Sequence, residues 1–256
     1  RTLPQGPAYR FGYRAYILLY FAFLFAPLVV TCVLAFNDSQ FPALPWKGFT
    51  LEWFIGDLPH RVGIFHDQVN LDSIGVSFQV AFWVTLAATV VGTCAAFLFE
   101  QEEFPFKPLL YFLMLAPLVI PGVILGISIL LFSNTLGMFF ETTWGIDVPL
   151  FRPGFWLVVL GQFSFITTLV ALIVSARLRK FDRSLEEAAL NLGASRLEVI
   201  WHITLKYLRP AIFGGAAVAF LMSFDNFNTT LFLTGSETTL PFNLYVHVRD
   251  GSTLVF

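Results

Sequence analysis

Ser184-Leu185-Glu186-Glu187-Ala188-Ala189-Leu190-Asn191-Leu192-Gly193-Ala194-Ser195-Arg196-Leu197-Glu198 reads as a helix, a corner and a second helix. Ser184 and Glu187 have capping-box spacing, with the serine hydroxyl facing the third helical amide and the glutamate reaching back to the Ser184 amide. Leu185, Ala188, Ala189 and Leu192 recur at i, i+3, i+4 and i+7, which predicts one narrow apolar face with small residues in its middle. Gly193 supplies the left-handed residue that ends such a helix. Ser195 and Glu198 then repeat the capping-box spacing. Leu197, Ile200, Trp201, Thr204, Leu205 and Leu208 form the stripe of the second helix, and Pro210 predicts a bend into the next hydrophobic run.

What flanks this segment sets the solvent. Hydrophobic residues make up 57% of the 256 and charged residues 12%, with 31 Phe and a mean hydropathy of +0.74, beyond what a water-soluble globule carries. Uncharged runs of about 20 residues cross a bilayer as helices. The chain offers Tyr16 to Phe36, Ser73 to Phe99, Leu109 to Phe140 and Phe155 to Ala176, then Ala211 to Leu233, interrupted by Asp225. The expected fold class is therefore all-α: a polytopic transmembrane helical bundle forming one domain over residues 1–256. Ser252 to Phe256 reads as the first turn of a sixth span continuing beyond the end. The first run is too long for the apolar core of a signal peptide and lacks a small-residue cleavage site. Cys32 and Cys94 both fall inside hydrophobic runs, as small packing residues.

Loop charge gives orientation, because short basic loops stay cytoplasmic. Arg1, Arg10 and Arg14 precede the first run, Lys107 follows the second, and Arg177, Arg179, Lys180, Arg183, Arg196, Lys206 and Arg209 separate the fourth from the fifth. The opposite loops hold Lys47, Arg61, Arg152 and Arg249. The N-terminus and the segment 177–210 are thus expected inside, and the long loop 37–72 outside. That outer loop carries Asp38, Glu52, Asp57, Asp67 and Asp72 beside Phe41, Trp46, Phe49, Trp53 and Phe54. Its aromatic residues predict a short interfacial helix, with a contact surface for an extracytoplasmic partner as the sharper reading. His60 and His66 match no strong ligand spacing, so no metal site is expected.

The segment 184–210 resembles the signature of binding-protein-dependent ABC importer permeases. In that signature Glu-Ala-Ala is followed three residues later by Gly, then by an apolar helix ending in Pro. Here these are Glu187, Ala188, Ala189, Gly193, Ile203, Leu205 and Pro210; Lys206 stands where the family usually has Pro directly after the leucine. The resemblance implies a type I importer permease fold in a multi-pass protein of the bacterial inner membrane. It implies a second permease subunit, two copies of a cytoplasmic ATPase, an extracytoplasmic solute-binding protein and surrounding lipid, with no nucleic acid. It makes Glu186, Glu187, Ala188, Ala189, Leu192 and Gly193 the ATPase-coupling element, with Glu187 pairing a basic group on the partner. No cofactor is expected on this chain, because none of its lysines (Lys47, Lys107, Lys180, Lys206) follows a glycine as a phosphate-binding Gly-Lys-Ser/Thr loop needs. ATP and Mg then belong to the partner ATPase, and the permease itself is not an enzyme.

A looser resemblance, across most of the chain, is to the spermidine/putrescine permease branch. It is carried by Ser223-Phe224-Asp225-Asn226-Phe227, Thr234-Gly235 and Leu240-Pro241, with Asn226 where that branch has a second acid. Counted from Ala211 at ~1.5 Å per residue, Asp225 lies about 21 Å along the fifth run. A carboxylate at membrane depth costs about 2.5–3.5 kcal/mol on insertion scales, so it is expected to face a cavity or a partner. On a continuous helix Asn228 and Thr229 share its side and Asn226 lies about 100° away. Asp225, Asn226, Asn228 and Thr229 are then candidates for a translocation pathway favouring cationic solutes; the alternative is that Asp225 ends the helix near the outer interface.

In the third run Pro117, Pro121, Gly122 and Gly126 predict bending and close packing first and a moving gate second. Gln162, Thr167 and Thr168 are expected to bond between helices. A secondary transporter would need coupling-ion carboxylates or paired broken helices, and an intramembrane enzyme a nucleophile with its base. Neither pattern is found, and the four histidines fall in loops or at interfaces. A secondary transporter, or a permease for a solute other than a polyamine, is the alternative.

Overall fold

Runs of uncharged apolar residues satisfy their backbone only as helices in lipid, and five helices among the described residues are long and apolar enough to span. The structure is a computed structural model that describes residues 6–39, 44–58 and 61–249. Phe41, His60 and Ser252 to Phe256 lie outside them. Two compact units are present, one comprising the residues up to Leu71 with those from His247 onward, the other Asp72–Val246.

The first unit holds helix α1 (Pro7–Leu34), the short α2 (Glu52–Ile55) and an antiparallel pair, β1 (Asp57–Leu58) with β2 (Arg61–Val62). The short helix expected in the outer loop is α2. Its Trp53 Nε1 donates to the Asn37 carbonyl at 2.8 Å, and Phe36 stacks on Phe49 and packs on Phe54. Phe49, Trp53 and Phe54 thus fold onto the residues that follow α1.

The second unit contains nearly all of α3 (Gln68–Gln101), then α4 (Lys107–Val119), α5 (Gly122–Trp144), α6 (Phe155–Leu178), α7 (Ser184–Asn191), α8 (Arg196–Val199), a π-turn over Ile200–Thr204, α9 (Leu205–Phe224) and α10 (Thr230–Leu233). Most of α11 (Leu240–Arg249) follows. Two predicted spans are corrected. The third is two helices, because Pro121 has no amide to donate and holds Ile120 extended at ψ 129°. The fifth stops at Phe224, and α10 resumes after an unwound stretch. Pro210 does not interrupt α9; the irregular turn falls earlier, at 200–204.

Helix α6 is central, with α4, α5, α9 and α10 against it. Ile166, Val170 and Val174 of α6, Val80, Val84 and Ala88 of α3, Leu208 and Ala219 of α9, and Leu233 of α10 form the buried core. Apolar side chains gain little by leaving lipid for protein, so close van der Waals packing at small residues has to hold such helices together. A Cβ on Gly92 of α3 would lie 2.9 Å from the Thr167 carbonyl of α6, and one on Gly161 of α6 would strike Leu233 Cδ1.

Candidate functional site

Two features of the second unit carry the predicted site residues. The first is the loop between α6 and α9. Its root is fixed by charge: Arg179 donates Nε to both Glu100 oxygens at 2.9 and 3.0 Å and Nη2 at 2.8 Å, and Arg183 Nη2 reaches the Glu100 carbonyl at 2.9 Å. The bond to the Glu100 carboxylate, more than its charge, raises Arg179 above the ordinary guanidinium pKa. The ends of α3 and α6 are thereby tied to the chain that enters α7.

Helix α7 runs from Ser184 to Asn191 as its apolar spacing predicts, but its cap differs from expectation. Asp182 Oδ1 accepts the Ser184 amide at 3.0 Å, so Ser184 lies within the first turn and Glu187 does not reach back to it. The Ser184 hydroxyl, and after it the amide, hold the Asp182 carboxyl below its usual range. The other end matches the sequence. Gly193 has φ +92°, its amide bonds the Leu190 carbonyl, and the Ala194 amide reaches back to Ala189, a Schellman ending that satisfies two orphan carbonyls. Both bonds of the Ser195–Glu198 capping box then open α8, and the Ser195 amide and hydroxyl keep the Glu198 carboxyl low.

The six predicted coupling residues lie together but face differently. Leu185 and Ala188 are exposed, Leu192 is 89% exposed, Gly193 is exposed and Ala189 half-buried. Glu187 is exposed, whereas the half-buried Glu186 Oε1 accepts from Thr204 Oγ1 at 2.5 Å. The apolar stripe is therefore presented outward. Leu197 and Trp201, two-thirds exposed, extend the apolar surface beyond the corner.

The second feature is the break in the fifth span. Asp225 is the C-cap of α9, in a non-helical conformation (φ −91°, ψ 9°), so the helical projection that grouped it with Asn228 and Thr229 does not apply. A cleft of ≈ 450 Å³ nevertheless brings Asp225, Asn226 and Asn228 together with Leu221, Met222 and Phe227. Thr229 is 1% exposed, packed where Gly122 and Gly126 open α5. A Cβ on Gly126 would sit 2.8 Å from the Thr229 carbonyl, and one on Gly122 3.0 Å from Asn228 Cβ. The two glycines do permit close approach, and what approaches is the unwound stretch.

Asn226 serves the backbone here, since its Oδ1 accepts the Thr229 amide at 3.2 Å and the Thr230 hydroxyl at 3.3 Å, capping α10. Behind it Gln162 of α6, 1% exposed, spans the break. Its Nε2 donates to Thr230 Oγ1 at 2.8 Å while its Oε1 accepts from the Ser223 hydroxyl. The interhelical expectation holds for Gln162, and for Thr168, which donates to the Met114 carbonyl of α4 at 2.7 Å. It fails for Thr167, whose hydroxyl returns to Phe163 of its own helix. Among the described residues no group of three or more His, Cys, Asp or Glu is placed to hold a metal ion.

Residues 88–246, which take in both features, match the family described as binding-protein-dependent transport system inner membrane component. The chain belongs to that family. As a family member it is a multi-pass inner membrane protein, and the Glu-Ala-Ala segment lies within the matched residues. It is 36% identical over 248 residues to the putrescine transport system permease protein PotI of Escherichia coli K12, covering 96% of this chain and 83% of that one. It is 27% identical over 232 residues to the spermidine/putrescine transport system permease protein PotC of the same strain, with 90% and 80% covered. PotC of Haemophilus influenzae is 25% identical over 241 residues, with 94% and 86% covered. A crystal structure of a bacterial ABC transporter involved in the import of the acidic polysaccharide alginate superposes with a TM-score of 0.67 over 96% of this chain and 82% of that one, at 14% identity. The type I importer permease fold expected from the signature is therefore present. Within it, sequence reasoning missed the Glu186–Thr204 bond and the Asp182 cap. The second had a signal, since Asp two residues before Ser is ordinary Asx-cap spacing.

Proposed function

We propose that this permease forms half of the translocation pathway of an ATP-driven polyamine importer, with putrescine as the first candidate solute. The observation that carries this reading is 36% identity, over 96% of the chain, to a putrescine transport system permease. The local chemistry agrees. Asp225 places a carboxylate at the C-terminal end of α9, where the helix dipole is already negative, and both favour a cation. Broken helices with their carbonyl ends turned to a cavity are a known way to hold cations in membrane transporters. Asn226, engaged in capping, is not needed as a second solute ligand on this reading, so an amide where the polyamine branch has an acid is compatible with it.

In this proposal the chain binds no nucleotide. A second permease subunit completes the pathway, two ATPase subunits hold ATP and Mg, and an extracytoplasmic binding protein delivers the solute. The N-terminus and the α7–α8 loop are cytoplasmic. There the exposed Leu185, Ala188 and Leu192, with the half-buried Ala189 between them, meet a groove on the ATPase, Gly193 shapes the corner and Glu187 pairs with a base of the partner. The test is putrescine uptake by proteoliposomes containing the complete transporter. Asp225→Asn is expected to cut uptake about tenfold or more with assembly intact; unchanged uptake removes Asp225 from the pathway, and no uptake by the unaltered complex removes putrescine.

A further inference from the structure

Helix α7 is short, and its apolar face points away from the protein; whatever docks there has to move the membrane helices through the contacts α7 makes on its other side. One of those contacts is polar and partly buried. Thr204 is fully buried, and its hydroxyl donates to Glu186 Oε1 at 2.5 Å across 18 residues of chain. Thr204 closes the π-turn Ile200–Thr204, directly before α9. A π-turn replaces i→i+4 bonds with longer ones and is a place where a helix can yield. Without a lateral tie, a displacement of α7 and α8 could be absorbed in that turn. The bond from Glu186 reaches past the corner and past α8 to the last residue of the turn, at the foot of the helix whose far end is Asp225.

We infer that Glu186 and Thr204 form a strut that carries movement of the docking helix into α9, so that Glu186 acts as a positioning residue in coupling while its neighbour Glu187 faces the partner. The inference rests on the coupling reading of the loop. It gives the two adjacent glutamates opposite roles, with Glu187 on the exposed surface and Glu186 serving the interior.

The experiment uses the complete transporter with its ATPase, cysteine-free apart from labels at exposed Asn191 at the end of α7 and Phe213 in α9. The distance between spin labels there is read in the nucleotide-free and vanadate-trapped states, which needs no solute, and ATPase retained on purification is quantified alongside. With the strut intact the distance stays constant between the two states. In Thr204→Val it is expected to change on trapping while ATPase retention stays within about twofold, and the number of putrescine molecules moved per ATP falls severalfold. Thr204→Ser and Glu186→Gln, which keep a donor and an acceptor, restore the constant distance. The double variant Glu186→Leu with Thr204→Val replaces the pair by apolar packing and covers the case in which a single variant misassembles; it is expected to assemble and to uncouple. A distance that changes on trapping in the unaltered protein overturns the strut, as does a constant distance in the double variant. Loss of ATPase from the unaltered complex would instead fall on the coupling reading itself.

Discussion

Gly193 concentrates the demands on the loop in a single residue. Its φ of +92° lies where an L side chain is strained, and nothing occupies the space a Cβ would take, so the cost of substitution there is conformational and not steric. A β-branched residue should cost about 1–3 kcal/mol locally. Gly193→Val is therefore expected to leave the membrane helices folded while unwinding the end of α7 and lowering ATPase retention severalfold; affinity purification followed by quantitation of the bound ATPase reads this, and full retention refutes it. The capping residues show how far such detail was legible. Ser184/Glu187 and Ser195/Glu198 have identical spacing, yet only the second forms a capping box. Asp182 decides the difference, because its carboxylate, two residues ahead, is the acceptor that takes the Ser184 amide. Pairwise spacing did not weigh that competitor. Glu186 and Glu187 were likewise indistinguishable as adjacent acids, since which one turns inward depends on Thr204, 18 residues downstream.

Hydropathy located the elements well and their interruptions poorly. Run length says that a segment can sit in lipid; whether its helix is continuous depends on backbone partners supplied by other elements. At Ile120–Pro121 the cause was local, a missing amide and a restricted preceding residue, and the sequence marked the place though not the extent of the break. At Asp225–Thr229 the cause is tertiary. The unwound backbone lies in the space left by Gly122 and Gly126, and Gln162 holds Ser223 on one side of the gap and Thr230 on the other. Gln162→Leu keeps the volume and removes both bonds, leaving the buried Ser223 hydroxyl without its acceptor while the Thr230 hydroxyl keeps its bond to Asn226 Oδ1. Each unsatisfied group costs about 1–3 kcal/mol. The expected result is a melting temperature several degrees lower in detergent and putrescine uptake reduced more than the amount of assembled complex. Gln162→Glu, which keeps an acceptor for Ser223, should fall between the two. Equal stability of Gln162→Leu and the unaltered protein would show that the break is held by packing alone.

For the whole molecule, composition and run length were enough to establish a helical membrane protein, and the Glu-Ala-Ala signature was enough for the family, because it records a corner that few sequences need. Sidedness rests on a different kind of argument. By the positive-inside rule the basic residues at 177–209 and ahead of α1 are expected to stay on the cytoplasmic side, and on that ground we propose that the α7–α8 loop lies on the ATPase side. The prediction is that a cysteine at exposed Asn191 reacts with a membrane-impermeant maleimide only after the inner membrane is opened, whereas one at exposed Asp57, in the loop between α1 and α3, reacts in intact spheroplasts. Both are to be made in a background with Cys32 and Cys94 replaced by Ser. The converse pattern would invert the chain and place the exposed Leu185–Leu192 face where no ATP-hydrolysing partner could reach it. Labelling of both positions from one side would mean an even number of crossings between them. That is incompatible with α3, α5 and α6 each spanning once and α4, a shorter apolar helix, adding no crossing, because three single crossings between Asp57 and Asn191 put them on opposite faces.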